Sequence, residues 1–348
     1  GQILEVLDKH RPPFVILENV GNFERHNRGR TWKVVQDSLV ELGYNVRGTT
    51  HKASGGHGLV SPHHLGYPHT RGRFFIVASQ DTLPADPFPR PDRRTTSLKQ
   101  IVQSNSALSS GDRRETALTR QQIDCIDHWN ALLARLPESV ELPSFPIWGD
   151  EIHATYPYES MTPWLLPVRE LRRHVRLNGH HVLRSKQQLL GVLPSYARSE
   201  ERRFPDWKTA FIRQNRAWFD EISRHLTPTW ISRLRDFPSS LRKLEWNCKG
   251  EARDLWRYVL QFRPSGLRVK RYTSAPALVA MTTTQIPLLG PKRRFLTRVE
   301  GLRLQGFPDG HLLPTSRARC FAALGNAVHV GVVRTIAERA LGGSSASQ

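Results

Sequence analysis

The chain has 348 residues, which is enough for a sizeable core and two domains. It carries 51 Lys and Arg against 31 Asp and Glu, a formal net charge of +20. This excess favours a polyanionic partner, most simply nucleic acid, with a generally basic surface as the alternative. The three cysteines form no Cys-x-x-Cys pair, which argues against a zinc site or a disulfide framework and fits a reducing, cytoplasmic compartment. No apolar run approaches the roughly 18 residues of a membrane span, so we expect no membrane partner.

The first part of the chain alternates between helical and extended patterns. An amphipathic helix ends near His10, where Pro12 and Pro13 follow. The continuous apolar run Phe14–Leu17 then predicts a strand that is buried on both faces. Strands that alternate with helices predict βαβ units and a parallel sheet.

One helix and two strands complete this part. Apolar positions between residues 32 and 42 have helical spacing and stop at Gly43. Residues 45–50 predict a short strand and residues 73–78 a strong one, with a loop rich in Gly and His between them. Four histidines in or near that loop lack a metal-binding spacing and indicate polar loop positions rather than ligands: His57, His63, His64 and His69.

Glu18 and Asn19 follow the first predicted strand directly. Ligands of open α/β sheets bind beyond the carboxyl ends of the strands, so Glu18 would stand where an apolar wall meets a pocket. A Glu-Asn pair after a strand is also common in turns and helix caps. Taken alone, this pair favours the turn or the cap.

The middle of the chain loses the βαβ rhythm, and tryptophan and arginine interleave. Residues 84–94 are rich in Pro and charge and indicate a linker. Residues 206–226 predict one long helix, whose aromatic side chains would be mostly core while its arginines stay free to meet phosphates. Compact α/β character returns after residue 285, with helices predicted at 296–304 and 327–340.

Four separated elements make the chain resemble the DNA cytosine-5 methyltransferases. Glu18–Val20 is similar to the family's Glu-Asn-Val element, and Gly66–Arg73 to its G-x-P-Q-x-R-x-R element. Arg294–Pro308 is similar to the R-x-L-T…E…RLQGFP element, and Gly325–Val328 to the GNAV element. Each motif alone is weak, and their shared order is the specific signal.

The resemblance implies an α/β fold: an incomplete, Rossmann-like catalytic domain dependent on S-adenosyl-L-methionine, with an inserted target-recognition domain. Residues 1–94 and 285–342 would form the catalytic part, residues 95–284 the recognition domain, and residues 343–348 a disordered tail. It further implies methyl transfer to C5 of cytosine in a specific double-stranded DNA sequence. The expected setting is a bacterial restriction-modification system at the nucleoid. The large insertion favours duplex DNA over the RNA-modifying branch of the family.

The resemblance also assigns roles within the site. Glu18 would hold or donate a proton at ring N3 of the cytosine, and Asn19 would orient the carboxyl or the neighbouring backbone. Arg73 would bind the base carbonyl and hold Glu18, and Arg71 would support the pocket or bind a phosphate. These groups reach the base only after it leaves the helix stack. The alternative for both arginines is surface charge beside a strand.

The GNAV element would line the cofactor pocket through Asn326, Ala327 and Val328. The alternative is a simple helix start at Gly325 and Asn326, with Asn as the cap. Gln305–Pro308 would brace the domains.

Two family elements are missing from the chain. It contains no Pro-Cys pair, where the family has its nucleophile, and no F-x-G-x-G loop for the cofactor. None of the three cysteines can take the nucleophile's place. We therefore predict a C-terminal portion or second subunit, inactive without the missing N-terminal portion. A non-catalytic DNA-binding or regulatory relative is the alternative. Two smaller departures are His69, where the family prefers Gln, and Gly72, where it often has Glu.

Overall fold

The computed structural model describes residues 1–49, 58–91, 94–175, 183, 185–280 and 285–342. The chain divides into two compact units. The first, here the α/β unit, comprises Gly1–Thr116, Tyr272–Pro287 and Phe295–Gln348, and the second unit comprises Ala117–Arg271 and Leu288–Arg294. The division of the sequence into catalytic and recognition domains stays a prediction. The predicted disordered tail lies outside the described residues.

Helices and strands occur in both units. The helices are α1 (Gln2–His10), α2 (Arg30–Glu41), α3 (Ser110–Thr116), α4 (Arg120–Arg135), α5 (Val168–His174), α6 (Lys186–Val192), α7 (Asp206–Glu221), α8 (Pro228–Asp236), α9 (Arg298–Leu304), α10 (Arg317–Asn326) and α11 (Val330–Ala340). The strands are β1 (Phe14–Val20), β2 (Asn45–Gly48), β3 (His69–Thr70), β4 (Arg73–Ser79), β5 (Ile147–Trp148), β6 (Lys243–Asn247), β7 (Val259–Arg263), β8 (Gly266–Lys270), β9 (Ala275–Pro276), β10 (Leu288–Leu289) and β11 (Arg294–Phe295).

The main sheet of the α/β unit has the order β1-β4-β2, and β4 runs antiparallel to both neighbours. The predicted parallel sheet is therefore wrong. β1, α2 and β2 do form a βαβ crossover with two parallel strands, but β4 lies between them in the opposite direction. Hydrophobic periodicity reports burial and does not report strand direction, so the sequence pattern could not show this.

β4 is the buried strand of this sheet, and β1 is only half-buried. The alternate side chains of β4 serve two cores. Phe74 and Ile76 belong to the cluster that includes Leu39 of α2, whereas Phe75 and Val77 pack in a cluster with residues of α11. In β1 only Val15 is buried. The expectation that the first strand is covered on both faces is thus wrong, because the other six residues of β1 are only half-buried or exposed.

Several boundaries agree with the sequence. α1 ends at His10, and α2 ends just before Gly43, which has a φ of +86° that a side chain would disfavour. α7 ends at Glu221, earlier than predicted. The predicted linker is wrong where it is described, because Phe88 is buried in the same cluster as Val77.

One stretch of the described residues, Arg317–Ala340, is long and apolar enough by composition to cross a membrane, since its most apolar 18-residue window has a mean hydropathy of 1.4. The stretch consists of two helices, since α10 ends at Asn326 and α11 begins at Val330. At 1.5 Å per residue, helices of this length span only about 15–17 Å, roughly half of a bilayer core. We therefore regard them as packed helices of the α/β unit.

The second unit contains a sheet with the order β11-β10-β7-β8-β6-β5. β6 and β8 pair in parallel, and the pairs β7 with β8 and β5 with β6 are antiparallel. The expectation that most aromatic side chains here are core is confirmed, because four of the five tryptophans that interleave with arginine between residues 200 and 260 are buried: Trp218, Trp230, Trp246 and Trp256. The fifth, Trp207, is 57% exposed.

Candidate functional site

Glu18 lies in β1 rather than beyond its end, because the strand continues to Val20. In the antiparallel register Glu18 is opposite Phe75 of β4. Arg73 is two residues from Phe75 and therefore shares the sheet face of Glu18 as its diagonal neighbour. The Nε atom of Arg73 lies 2.7 Å from Oε1 of Glu18, an ion pair of two half-buried side chains.

Arg71 is the second guanidinium at this carboxylate. Its Nη2 atom lies 3.8 Å from Oε1 of Glu18, and only 5% of the Arg71 side chain is exposed. Burial, followed by the charge of Arg73, lowers the pKa of Arg71 to about 10, while Glu18 acts to raise it. The backbone N–H of Arg71 donates to Oγ of Ser61 over 2.9 Å, which fixes the main chain at this point. The structure thus brings Glu18, Arg71 and Arg73 together.

The polar atoms of this cluster are incompletely satisfied. The Nε and Nη1 atoms of Arg71 are buried and have no hydrogen-bond partner among the residues that the structure describes. Oε1 of Glu18 also accepts no directed hydrogen bond, although Arg73 is close, so that contact is a charge interaction with poor alignment. Buried donors without acceptors are rare in native proteins. Their presence here indicates a site prepared for oxygen acceptors of a ligand.

The GNAV element reaches the same pocket through Val328. Val328, His329 and Val332 line a small pocket together with Glu18, Arg71 and Arg73. The alternative reading of this element as a helix start is wrong, because Asn326 ends α10. Asn326 is exposed, while Ala327 is half-buried. A Cβ atom on Gly325 would lie 2.6 Å from the backbone nitrogen of Ala280, so close backbone packing requires that glycine.

Asn19 does not join the ion cluster. Its side chain is exposed, and its Oδ1 atom accepts the backbone N–H of Val20 over 2.8 Å. Of the two roles expected for Asn19, the contact seen is with the neighbouring backbone. The catalytic and cofactor roles of all the predicted site residues stay predictions.

His69 is buried, so its expected place in a polar loop is wrong. It is fully buried in β3, which pairs with β9. Burial, followed by the charges of His329, Arg71 and Arg73, lowers the pKa of His69 well below its usual value. His57 lies outside the described residues. No group of three or more metal-ligating side chains occurs in the part of the chain that the structure describes.

His329 is a pocket residue that the sequence argument missed. Its Nδ1 atom accepts the backbone N–H of Val332 over 3.3 Å and so caps α11. Its ring centroid lies 4.5 Å from that of Tyr67, and burial lowers the pKa of His329 to about 4. The available signal was its position directly after the GNAV element.

The three cysteines are free and buried. Burial raises the pKa of Cys125 and of Cys248 to about 12, and it also raises the pKa of Cys320. A nucleophilic cysteine needs a lowered pKa and access to its substrate. None of the three therefore meets the requirements of a catalytic thiolate.

The geometry and the ordered motifs agree with the comparison to known families. The family model for C-5 cytosine-specific DNA methylases matches residues 1–341, and the chain belongs to this family.

Similar curated proteins include type II methyltransferases of bacteria. Type II methyltransferase M.AluI of Cellulosimicrobium cellulans is 29% identical over 402 residues, which cover 96% of this chain and 72% of that protein. Type II methyltransferase M.HhaI of Haemophilus parahaemolyticus is 26% identical over 126 residues, covering 35% of this chain and 36% of that protein. Among solved structures, the S. pombe Dnmt2 methyltransferase covers 99% of this chain at 13% identity. Its TM-score of 0.37 is too low to support an argument about the fold.

Proposed function

We propose that the chain is the base-pocket and target-recognition part of a DNA cytosine-5 methyltransferase. The complete enzyme would transfer a methyl group from S-adenosyl-L-methionine to C5 of cytosine in a specific duplex DNA sequence. The observation that carries this proposal is the contact of Glu18 with Arg73 and Arg71. The family membership of residues 1–341 and the type II methyltransferases among the relatives support it.

The chemistry requires a group that neutralises charge on the ring. C5 of cytosine becomes nucleophilic after a thiolate forms a bond to C6, and the electron density then spreads over C5, N3 and the carbonyl. Glu18 would donate or share a proton at N3. After C5 has taken the methyl group, loss of its proton and of the thiolate restores the C5–C6 double bond.

The two arginines would act on the everted base. Arg73 would hold the carboxyl group of Glu18 and donate to the base carbonyl. The unpartnered nitrogens of Arg71 would donate to a carbonyl or a phosphate oxygen. In a pocket shielded from water, such preoriented donors stabilise developing negative charge without reorganisation.

The cofactor wall would come from the residues after α10. S-adenosyl-L-methionine would supply the methyl group, and its pocket needs an apolar side facing the base site. The half-buried Val328 beside Glu18 and the exposed amide of Asn326 fit one wall of such a pocket. The Gly-rich loop that would complete it is absent from the sequence.

The rest of the enzyme would be supplied by a further polypeptide segment. The chain has no Pro-Cys pair, and its own thiols are buried. α1 and α2 also expose large apolar side chains, and β1 ends in another. These are Ile3, Val6, Val20, Val34 and Val40, each more than half exposed. A segment carrying F-x-G-x-G and Pro-Cys could cover this surface and complete the sheet beside β1.

A reconstitution experiment tests the proposal. The chain and a polypeptide bearing the two missing elements are mixed with labelled S-adenosyl-L-methionine and duplex DNA or transfer RNA. We expect methyl transfer to DNA cytosine only with both polypeptides present. DNA binding without any methyl transfer would favour the regulatory alternative, and transfer to RNA alone would favour the other branch. Tight S-adenosyl-L-methionine binding by this chain alone, measured by calorimetry, would refute the need for a second segment.

A further inference from the structure

A basic loop at residues 25–30 connects β1, which carries Glu18, to α2 and includes Arg30, the first residue of that helix. It holds three consecutive residues with positive φ: Asn27 at 52°, Arg28 at 57° and Gly29 at 85°. This conformation is easy for glycine and tolerable for asparagine, but for arginine it carries a steric cost of roughly 1–2 kcal/mol. Strain of this kind persists where the surrounding structure enforces it and often marks a functional segment.

Both ends of the basic loop are fixed to the strand that carries Arg73. Phe23, before the loop, has its ring centroid 5.4 Å from that of Phe74, and Trp32, after the loop, has its centroid 5.2 Å away. Phe74 is fully buried and directly follows Arg73. His26 Nδ1 also lies 2.7 Å from Thr31 Oγ1, which closes the loop. The loop is therefore anchored to the same strand as the candidate base pocket.

Arg28 and Arg30 are exposed, and neither makes an ion pair or side-chain hydrogen bond with any residue of the described structure. This differs from Arg11, another arginine with positive φ, whose Nη2 lies 2.5 Å from Asp8 Oδ1 and whose Nη1 donates to the Leu42 carbonyl. Glycine or asparagine would adopt the positive φ at position 28 with less strain than arginine. An arginine that has a strained backbone and no ion-pair partner in the described structure indicates that its charge binds another molecule.

We infer that Arg28 and Arg30 bind backbone phosphates of the DNA strand that presents the target nucleotide to Glu18. The inference rests on the proposed function and adds a contact outside the base pocket. A guanidinium matches two phosphate oxygens in a fork geometry. Phosphate contacts fix the register of a protein on the duplex and carry no sequence information. A rigid cationic loop anchored beside Arg73 would thus hold the strand on which the base turns outward.

The test measures the affinity of the full chain for a duplex oligonucleotide across a range of NaCl concentrations. Removing one cation that binds a phosphate should reduce the magnitude of the slope of log K against log salt by about 0.9. We expect this change for Arg28→Gly and about twice that for Arg28→Gly combined with Arg30→Gln. Arg28→Lys should keep the wild-type slope. Arg11→Gly, the matched control, should also keep it.

Thermal unfolding separates this role from a structural one. Arg28→Gly relieves the left-handed strain, so its Tm should be equal to or above that of the wild type while DNA binding weakens. Wild-type slopes for Arg28→Gly and for Arg28→Gly combined with Arg30→Gln would overturn the inference while leaving the proposed function intact. Absence of salt-dependent duplex binding by the unaltered chain would overturn both. A lower Tm together with an unchanged slope for Arg28→Gly would show that the arginine has only a folding role.

Discussion

Each unit contains a glutamate beside arginine, buried at Glu151 and half-buried at Glu18, and the two clusters differ in how well their polar atoms are satisfied. In the second unit Glu151 accepts hydrogen bonds from Tyr156, from Tyr196 over 2.7 Å and from Arg216 Nε over 2.9 Å. The Arg216 guanidinium lies 4.5 Å from the ring centres of both Tyr156 and Tyr158. Burial and the charge of Glu151 raise the pKa values of Tyr156 and Tyr196, which keeps both hydroxyls as donors.

The cluster around Glu18 also joins a glutamate to arginine side chains, but it contains no tyrosine donors and lacks this completeness. Two nitrogens of Arg71 and one oxygen of Glu18 are buried without hydrogen-bond partners in the described part of the chain. A complete network gains stability from its closed set of contacts, whereas an incomplete one keeps donors available. We infer that the Glu151 cluster holds the second unit together and that the Glu18 cluster binds a ligand.

The largest expected effect on stability is at Glu151. Glu151→Gln leaves the half-buried Arg216 charge uncompensated and disrupts the network around a buried carboxylate, so we expect a loss of about 3–5 kcal/mol in the free energy of unfolding. Glu245→Gln is the matched control. Glu245 is likewise paired with arginine, here Arg263 and Arg268, but its side chain is partly exposed. Its replacement should therefore lower the free energy of unfolding by less. Urea denaturation measures both. An equal loss of unfolding free energy for Glu151→Gln and Glu245→Gln would contradict the special structural role of the Glu151 cluster.

Replacement of the arginine in each cluster should change the free energy of unfolding in different directions. Arg71→Met removes a charge whose buried donors are unsatisfied, so the free energy of unfolding should stay constant or rise by about 1–2 kcal/mol. Arg216→Met removes the partner of Glu151 and should lower the free energy of unfolding. Urea denaturation again provides the measurement, combined with binding of a duplex that carries an extrahelical cytosine. A destabilised Arg71→Met variant with normal binding would indicate that Arg71 has a structural role.

Acid sensitivity should be similar in both units. Burial lowers the pKa of His329 in the α/β unit and that of His128 in the second unit to about 4. Above pH 6.5 each histidine is neutral in the folded and unfolded states, so its contribution does not change. As pH falls from 6.5 to 4, the unfolded chain binds a proton that the folded chain excludes, and stability declines by up to about 3 kcal/mol per histidine. Unfolding measured across this range should show a flatter profile for His329→Gln, and an unchanged profile would contradict the assignment.

The sequence predicted the main members of the site because they lie in short motifs within or next to strands. Glu18 and Arg73 were expected to meet, and the register of β1 on β4 places them on one face of the sheet. The direction of β4 could not be predicted, because alternation of apolar residues is the same in either direction. The burial of His69 was missed because it depends on pairing with β9, some 200 residues later in the chain.

Other features depended on contacts that local patterns do not encode. The Glu151 cluster joins positions 151, 156, 196 and 216, and no local period connects them. The cap formed by His329 was missed because the predicted helix began earlier, at Ala327, whereas α11 begins at Val330. Local patterns thus located motifs, while long-range packing determined which polar atoms were satisfied.

The central claim is that the carboxyl group of Glu18 acts on an everted cytosine. The most direct test is methyl transfer by Glu18→Gln in the reconstituted enzyme, together with its affinity for duplex DNA. We predict that turnover falls by at least about a hundredfold, as expected when a positioned acid or base is lost, while DNA affinity stays close to that of the wild type. Near-normal turnover would contradict the claim.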